Sequence, residues 1–181
     1  MVLDYIKSDL YRYTGKVSFK SFLREYLFNT GFKFCFWLRL ASQKGIVGKL
    51  SFPISYYYKR KYRIEIHPST KIGYGLYLAH GGPVVINPSA TLGNNVTIAQ
   101  FSSIGAAKGR AAEIGDNVYI GPNVCIVDHV KIGSKVTIGA GSVVTKDIPD
   151  NATAVGNYCK VINYDRPGRM NIFLWPPKPK N

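Results

Sequence analysis

An aliphatic residue recurs every six positions along most of this 181-residue chain, and this repeat limits the folds that the chain can adopt. The repeat has three runs, which are separated by register shifts of two and four residues. A period of six matches neither the 3.6-residue period of an α-helix nor the 3.5-residue period of a coiled coil. The repeated residues are Ile66, Ile72 and Leu78, then Ile86, Leu92, Ile98 and Ile104, then Ile114, Ile120, Ile126, Ile132, Ile138 and Val144.

Each six-residue unit combines a short strand with a corner. A second small apolar residue often lies two positions before the aliphatic one, as in Val118-Tyr119-Ile120, and this alternation is typical of a half-buried strand. Corners rich in glycine, asparagine and aspartate lie between the strands, as in Gly115-Asp116-Asn117. These residue types tolerate the backbone angles that sharp bends need. Strand and corner in repetition predict a solenoid with flat sides.

The repeated pattern Ile-Gly-x-x-Val-x resembles that of the hexapeptide-repeat acyltransferases. The resemblance implies a mainly β protein whose core is a three-sided, left-handed parallel β-helix. At three sides of six residues each, residues 66–148 would form about four to five coils. We therefore expect an N-terminal helical cap over residues 1–62, a β-helix domain over residues 63–162 and a C-terminal tail over residues 163–181.

The two register shifts predict bulges in the solenoid wall, and loops on rigid scaffolds often carry function. The first bulge, residues 79–83, contains His80, and the second spans residues 106–113. The segment from Glu65 to His80 resembles the opening of the serine acetyltransferase repeat domain. The resemblance implies that His80 is the general base for the acceptor hydroxyl, and that Glu65, an aspartate in that family, orients it. A surface histidine in a glycine-rich bend is the alternative.

The same resemblance implies acetyl-CoA as co-substrate, with no metal, bound between the subunits of a homotrimer. Small residues at corners are also required by the fold itself, which is the alternative interpretation of most of the matching positions. The three cysteines show no CxxC spacing, so neither a zinc site nor a disulfide framework is indicated. The positions that match acetyl-CoA contacts are Gly105, Ala106, Pro122 and Ala140, with Lys146 as a partner for a phosphate.

Two positions differ from the serine acetyltransferases and bear on the acceptor. Ala79 stands where that family has an acid that pairs with the ammonium group of serine, and Ala111 stands where it has a second histidine. Residues 80–87 instead resemble the serine-acetyltransferase-like enzymes of surface-polysaccharide clusters. We therefore predict a sugar or glycan hydroxyl as acceptor. The alternatives are a serine O-acetyltransferase of cysteine biosynthesis and a non-catalytic β-solenoid interaction module.

A net charge of +14 indicates an anionic partner, and a solvated basic surface that only keeps the protein soluble is the alternative. Aromatic and basic residues alternate over residues 19–41, which predicts one or two amphipathic helices that break near Gly31. These helices are expected to cover the open end of the solenoid. A peripheral contact with an anionic membrane is a further hypothesis, because residues 56–63 combine four tyrosines with four cationic side chains.

The remaining features exclude several classes of protein. The chain carries no signature of nucleic-acid recognition, and we expect no nucleic-acid partner. It shows neither a secretory signal nor an apolar stretch long enough to span a bilayer, so a cytoplasmic location is expected, with the inner membrane face as an extension of it. Prolines in the tail disfavour a regular element, and the tail is expected to fold over a trimer neighbour or to stay loose.

Overall fold

The computed structural model describes residues 2–175, which form an α-helical cap followed by a parallel β-helix. The helices of the cap are α1 (Val2–Thr14), α2 (Phe19–Phe28), α3 (Thr30–Ala41) and α4 (Ile46–Tyr62). The strands are β1 (Ile64–Ile66), β2 (Lys71–Ile72), β3 (Tyr77–Leu78), β4 (Val84–Ile86), β5 (Thr91–Leu92), β6 (Thr97–Ile98), β7 (Ser103–Gly105), β8 (Glu113–Ile114), β9 (Tyr119–Ile120), β10 (Cys125–Val127), β11 (Lys131–Ile132), β12 (Thr137–Ile138), β13 (Val143–Val144), β14 (Thr153–Val155) and β15 (Lys160–Asn163).

The strands form three sheets, and each sheet is one side of the β-helix. Side A consists of β1, β4, β7, β10 and β13, and side B of β2, β5, β8 and β11. Side C consists of β3, β6, β9, β12 and β14, with β15 added antiparallel to β14 at its end. Strands within a side otherwise pair in parallel, so the chain visits the three sides in turn. The predicted three-sided, left-handed parallel β-helix is confirmed.

The six-residue repeat marks the side chains that fill the β-helix. Twelve of the thirteen repeated aliphatic residues are buried, and Ile72 is half-buried against the same core. Equivalent residues stack from coil to coil, as Ile66 pairs with Ile86 and Ile126 with Val144. The repeat therefore acts through burial of apolar surface, which is the main favourable contribution to folding.

Helix α3 covers the open end of the β-helix. Its side chains Phe34, Cys35 and Leu38 are buried in the same cluster as Ile64 and Leu76 of the first coil. Burial raises the pKa of the Cys35 thiol, so this cysteine serves as an apolar filler. The break between the two predicted helices lies at Asn29, whose side chain accepts a hydrogen bond from the backbone N–H of Phe32 and so begins α3.

A buried ion pair joins the cap to the first coil. The Arg39 guanidinium donates to both carboxylate oxygens of Asp9, at 2.8 and 3.0 Å. Arg39 also donates to the carbonyls of Ile72 and Gly73, at 2.9 and 2.7 Å, and the Leu76 N–H donates to Asp9 at 2.8 Å. Burial is the largest single influence and acts to lower the pKa of Arg39, but the charge and hydrogen bonds of Asp9, with smaller contributions from Cys35 and Tyr5, together outweigh it and the pKa is raised.

The tail up to Trp175 packs on its own chain and is not loose, whereas its packing on a trimer neighbour stays a prediction. Residues 176–181 of the predicted tail lie outside the described residues. Arg12 of α1 donates to the carbonyl of Ile172 at 2.6 Å and to the side chain of Asn171 at 3.0 Å. The backbone of Trp175 makes two hydrogen bonds to the side chain of Asn95, at 2.9 and 3.1 Å. Aromatic packing also holds the tail against the cap, since Trp175 packs edge-on against Tyr11 of α1.

Over residues 2–175, no helix has both the length and the apolar character needed to cross a bilayer.

Candidate active site

The first predicted bulge lies at the corner between sides C and A. Leu78 pairs with Ile98 and Val85 with Ser103, so the first coil has two more residues than the second at this corner. Both His80 and Gly81 adopt positive φ angles, of 63° and 54°. A positive φ is uncommon for a residue other than glycine, and here it turns the chain out of the wall. The bulge therefore presents His80 outside the regular surface of the solenoid.

The helical cap holds this bulge from behind. Thr30, the first residue of α3, donates a hydrogen bond from its hydroxyl to the Gly81 carbonyl at 3.3 Å. A Cβ atom on Gly81 would overlap the Thr30 hydroxyl, so only glycine fits. The Tyr13 hydroxyl accepts from the Leu78 N–H at 3.1 Å and donates to the Leu78 carbonyl at 3.3 Å. Burial raises the pKa of Tyr13, which keeps the phenol protonated and able to donate.

The His80 imidazole is exposed, and no side chain or backbone group of residues 2–175 makes a hydrogen bond or an ion pair with it. An accessible imidazole can contact a bound hydroxyl group and accept its proton, as general-base chemistry requires. The Nδ1 atom of His67, in contrast, is 2.7 Å from the hydroxyl of Ser69. His129 lies at the corner between sides A and B, before β11. Of the three histidines, His80 is the one in the first bulge.

Glu65 lies on the outward face of β1, opposite Val85 of β4. Since β4 directly follows the bulge, Glu65 and His80 belong to neighbouring parts of the wall. The structure does not bring them into contact. The Glu65 carboxylate, 60% exposed, instead lies 3.8 Å from the ammonium group of Lys59. The role of Glu65 as the orienting carboxylate stays a prediction.

The five positions predicted to contact acetyl-CoA lie along two edges of the β-helix. Pro122 and Ala140 follow β9 and β12 at the corner that carries His80, whereas Gly105, Ala106 and Lys146 lie at the corner between sides A and B. Side A separates the two edges by about six residues, on the order of 15–20 Å. Only an extended ligand can contact both edges, and these assignments also stay predictions.

The second predicted bulge lies at the corner between sides A and B, so side A has one bulge at each edge. Its backbone is held by two hydrogen bonds: the Ala107 N–H donates to Asp128 at 3.1 Å, and the Ala111 N–H donates to Ser89 at 2.9 Å. A cleft of about 230 Å³ opens beside it. The cleft is lined by Ser69, Lys71, Pro88, Ser89, Ala90, Thr91, Arg110, Ala111 and Glu113.

Gln100 is a polar residue of the first corner that the sequence analysis did not single out. It lies one coil below the bulge, where a Cβ atom on Gly82 would be 3.0 Å from the Gln100 Cβ. The N–H of the next residue, Phe101, donates to the Pro83 carbonyl at 2.6 Å. Nothing in the repeat distinguishes Gln100, because it occupies an ordinary corner position.

Comparison with known proteins finds similarity to serine acetyltransferases. Residues 111–146 match the family of bacterial transferase hexapeptide (six repeats) proteins. A serine acetyltransferase of Helicobacter pylori is 40% identical over 107 residues, which are 57% of this chain and 63% of that protein. The chain spans less than two thirds of the length of the curated relatives that it matches, from 27% to 63% in three of them.

Two solved structures extend the similarity to the helical cap. The soybean serine acetyltransferase apoenzyme is 31% identical, with a TM-score of 0.77 over 89% of this chain and 69% of that one. The Neisseria gonorrhoeae serine acetyltransferase, solved in complex with serine, is 32% identical, with a TM-score of 0.75 over 88% and 68% of the two chains.

These relatives overturn the prediction of a sugar acceptor in polysaccharide biosynthesis, because those compared are serine acetyltransferases. That prediction depended on two positions, Ala79 and Ala111, and on the resemblance of residues 80–87 to enzymes of surface-polysaccharide clusters. Loss of one charge-assisted hydrogen bond weakens binding by about 1.5–3 kcal/mol, but it does not select a different acceptor. Similarity over most of the chain outweighs two substitutions.

Proposed function

Because the chain belongs to the hexapeptide-repeat acyltransferases, we propose that it transfers the acetyl group of acetyl-CoA to the hydroxyl group of serine. The observation that carries this proposal is the exposed His80 imidazole on a bulge that α3 holds in place. The similarity of the cap and the β-helix to serine acetyltransferases, one of them solved with serine, supports serine as the acceptor.

In the proposed reaction, His80 removes the proton of the serine hydroxyl as the oxygen attacks the thioester carbonyl. The new C–O bond forms, the C–S bond breaks, and the proton passes from His80 to the departing CoA thiolate. A thioester is already activated toward a nucleophile, so the reaction needs no covalent enzyme intermediate. Glu65 is proposed to orient the imidazole once substrates are bound.

A homotrimer is the proposed assembly. Gly105, Ala106, Pro122, Ala140 and Lys146 are the positions proposed to contact acetyl-CoA. These positions lie along both edges of side A. One acetyl-CoA molecule could therefore contact one edge of a first subunit and the other edge of its neighbour. Packing of one subunit against the next would join the His80 edge of the first to the second bulge of its neighbour.

The proposed reaction predicts release of the CoA thiol that depends on serine. The purified protein is incubated with acetyl-CoA and L-serine, free thiol is measured with a chromogenic thiol reagent, and O-acetylserine is identified by its mass. Glycerol, which offers hydroxyl groups without the amino-acid groups, serves as control acceptor. Equal rates of thiol release with and without serine would contradict the proposal.

Contact of the cap with an anionic membrane is proposed as a separate property. The first 62 residues contain twelve lysines and arginines and three acidic residues. Helix α2 exposes 80% of Phe19 and 83% of Phe28, and α4 exposes 72% of Ile46. Apolar side chains beside cationic ones favour an anionic lipid surface. We expect sedimentation with phosphatidylglycerol vesicles, weakened by salt and by Phe28→Ser; no sedimentation at low salt would exclude this contact.

A further inference from the structure

The side chain of Gln100 lies directly beneath the His80 bulge. Gly82, two residues after His80, is the residue above it, and a Cβ atom on Gly82 would be 3.0 Å from the Gln100 Cβ. Neighbouring strands in a sheet are about 4.8 Å apart, so Gln100 is one strand spacing from the bulge. A small molecule that contacts His80 is therefore within reach of Gln100.

The side-chain oxygen of Gln100 is buried and accepts no hydrogen bond from any group in residues 2–175. Buried polar atoms in proteins nearly always have a partner, and an exception needs a specific explanation. Three other buried side-chain atoms of the described residues lack a partner, on Arg12, Thr70 and Thr137, and these lie away from this corner. A hydrogen-bond donor on the substrate would explain why the Gln100 side-chain oxygen, beside the bulge, has no partner within the protein.

The chemistry of the corner indicates which substrate group that partner is. Serine carries an ammonium group, which only donates hydrogen bonds, and Ala79 beside His80 has no polar side-chain atom. The described residues of this corner include no aspartate or glutamate, and the hydroxyls of Ser102 and Ser142 donate to the carbonyls of Gly121 and Gly139. The residues of the corner are 79–83, 99–102, 121–124 and 139–142.

We propose that Gln100 makes the site selective for an amino-acid acceptor: its partly buried side chain turns toward the bulge, and its oxygen accepts a hydrogen bond from the serine ammonium group while the serine hydroxyl lies against His80. The inference rests on the proposed function and adds the residue that recognises the amino group. Gln100 takes no part in proton transfer. Its contact forms in the ground state and persists in the transition state, so its loss raises KM and leaves kcat nearly unchanged.

The test compares Gln100→Met with the wild-type protein on two acceptors, L-serine and 3-hydroxypropanoate, which is serine without its amino group. Methionine keeps the length of the side chain and removes the acceptor oxygen. We expect the KM for serine to rise about tenfold, equivalent to 1.4 kcal/mol, and kcat to change by less than about threefold. The kcat/KM for 3-hydroxypropanoate stays unchanged. Gln43→Met, the same chemical change in the cap, leaves both acceptors unaffected.

An unchanged KM for serine in Gln100→Met overturns the inference, and so does an equal loss with both acceptors, which would indicate a structural role. If Gln100→Met does not fold, Gln100→Glu decides. A carboxylate at this position makes a stronger hydrogen bond to the ammonium group. The KM of the Gln100→Glu variant for serine should therefore not exceed that of the wild type. A wild-type protein that does not acetylate serine overturns the proposed function, whereas equal use of serine by wild type and variants overturns only the role of Gln100.

Discussion

Replacement of His80 with alanine is expected to lower kcat for serine acetylation by about 10²–10⁴-fold, the usual contribution of a positioned general base. The imidazole is exposed at a bulge and makes no hydrogen bond or ion pair with residues 2–175, so the thermal midpoint should stay within about 2 °C of the wild type. Initial rates of CoA thiol release at saturating acetyl-CoA and serine measure the effect.

His67→Ala is the matched control for this prediction. His67 bonds locally to Ser69 at the corner between sides A and B, and its loss should leave kcat within about twofold. Glu65→Gln tests the orienting carboxylate in the same assay, with an expected loss smaller than that of His80→Ala. Retention of more than half the wild-type kcat by His80→Ala would refute the base mechanism.

Replacement of Arg39 with methionine is expected to destabilise the protein by about 3–5 kcal/mol, because Asp9 is left as an uncompensated buried charge. The two side chains are 5% and 1% exposed, and the carbonyls of Ile72 and Gly73 lose their donors as well. For a chain of this size each kcal/mol lowers the thermal midpoint by about 2–4 °C. Chemical denaturation followed by circular dichroism measures the change in the free energy of unfolding.

The solvent-exposed pair of Lys59 and Glu65 provides a control. The Lys59 side chain is 32% exposed and the Glu65 side chain 60%, so Lys59→Met should cost no more than about 1 kcal/mol. The double variant Asp9→Leu with Arg39→Met should recover much of the loss, since it leaves no buried charge. If Arg39→Met proves as stable as Lys59→Met, the buried pair does not anchor the cap.

The acceptor could not be predicted from single positions of the sequence. By the resemblance, Ala79 and Ala111 differ from the serine acetyltransferase pattern, and this interpretation contributed to the prediction of a sugar acceptor, which the relatives contradict. A missing side chain shows which contact is lost, but it does not show what replaces that contact. Gln100 became a candidate replacement only when stacking of the coils placed it under the bulge.

The sequence by itself determined the β-helix, because burial of one side chain in six is a local property that repeats along the chain. It also determined that the wall bulges at His80 and again after Ala106, since a bulge is a register shift in the same period. Only the tertiary structure decided that these bulges flank one side. It likewise decided that Asp9 meets Arg39 and that the tail returns to α1. Contacts of this kind join residues 30 to 160 positions apart, and no local period encodes such a distance.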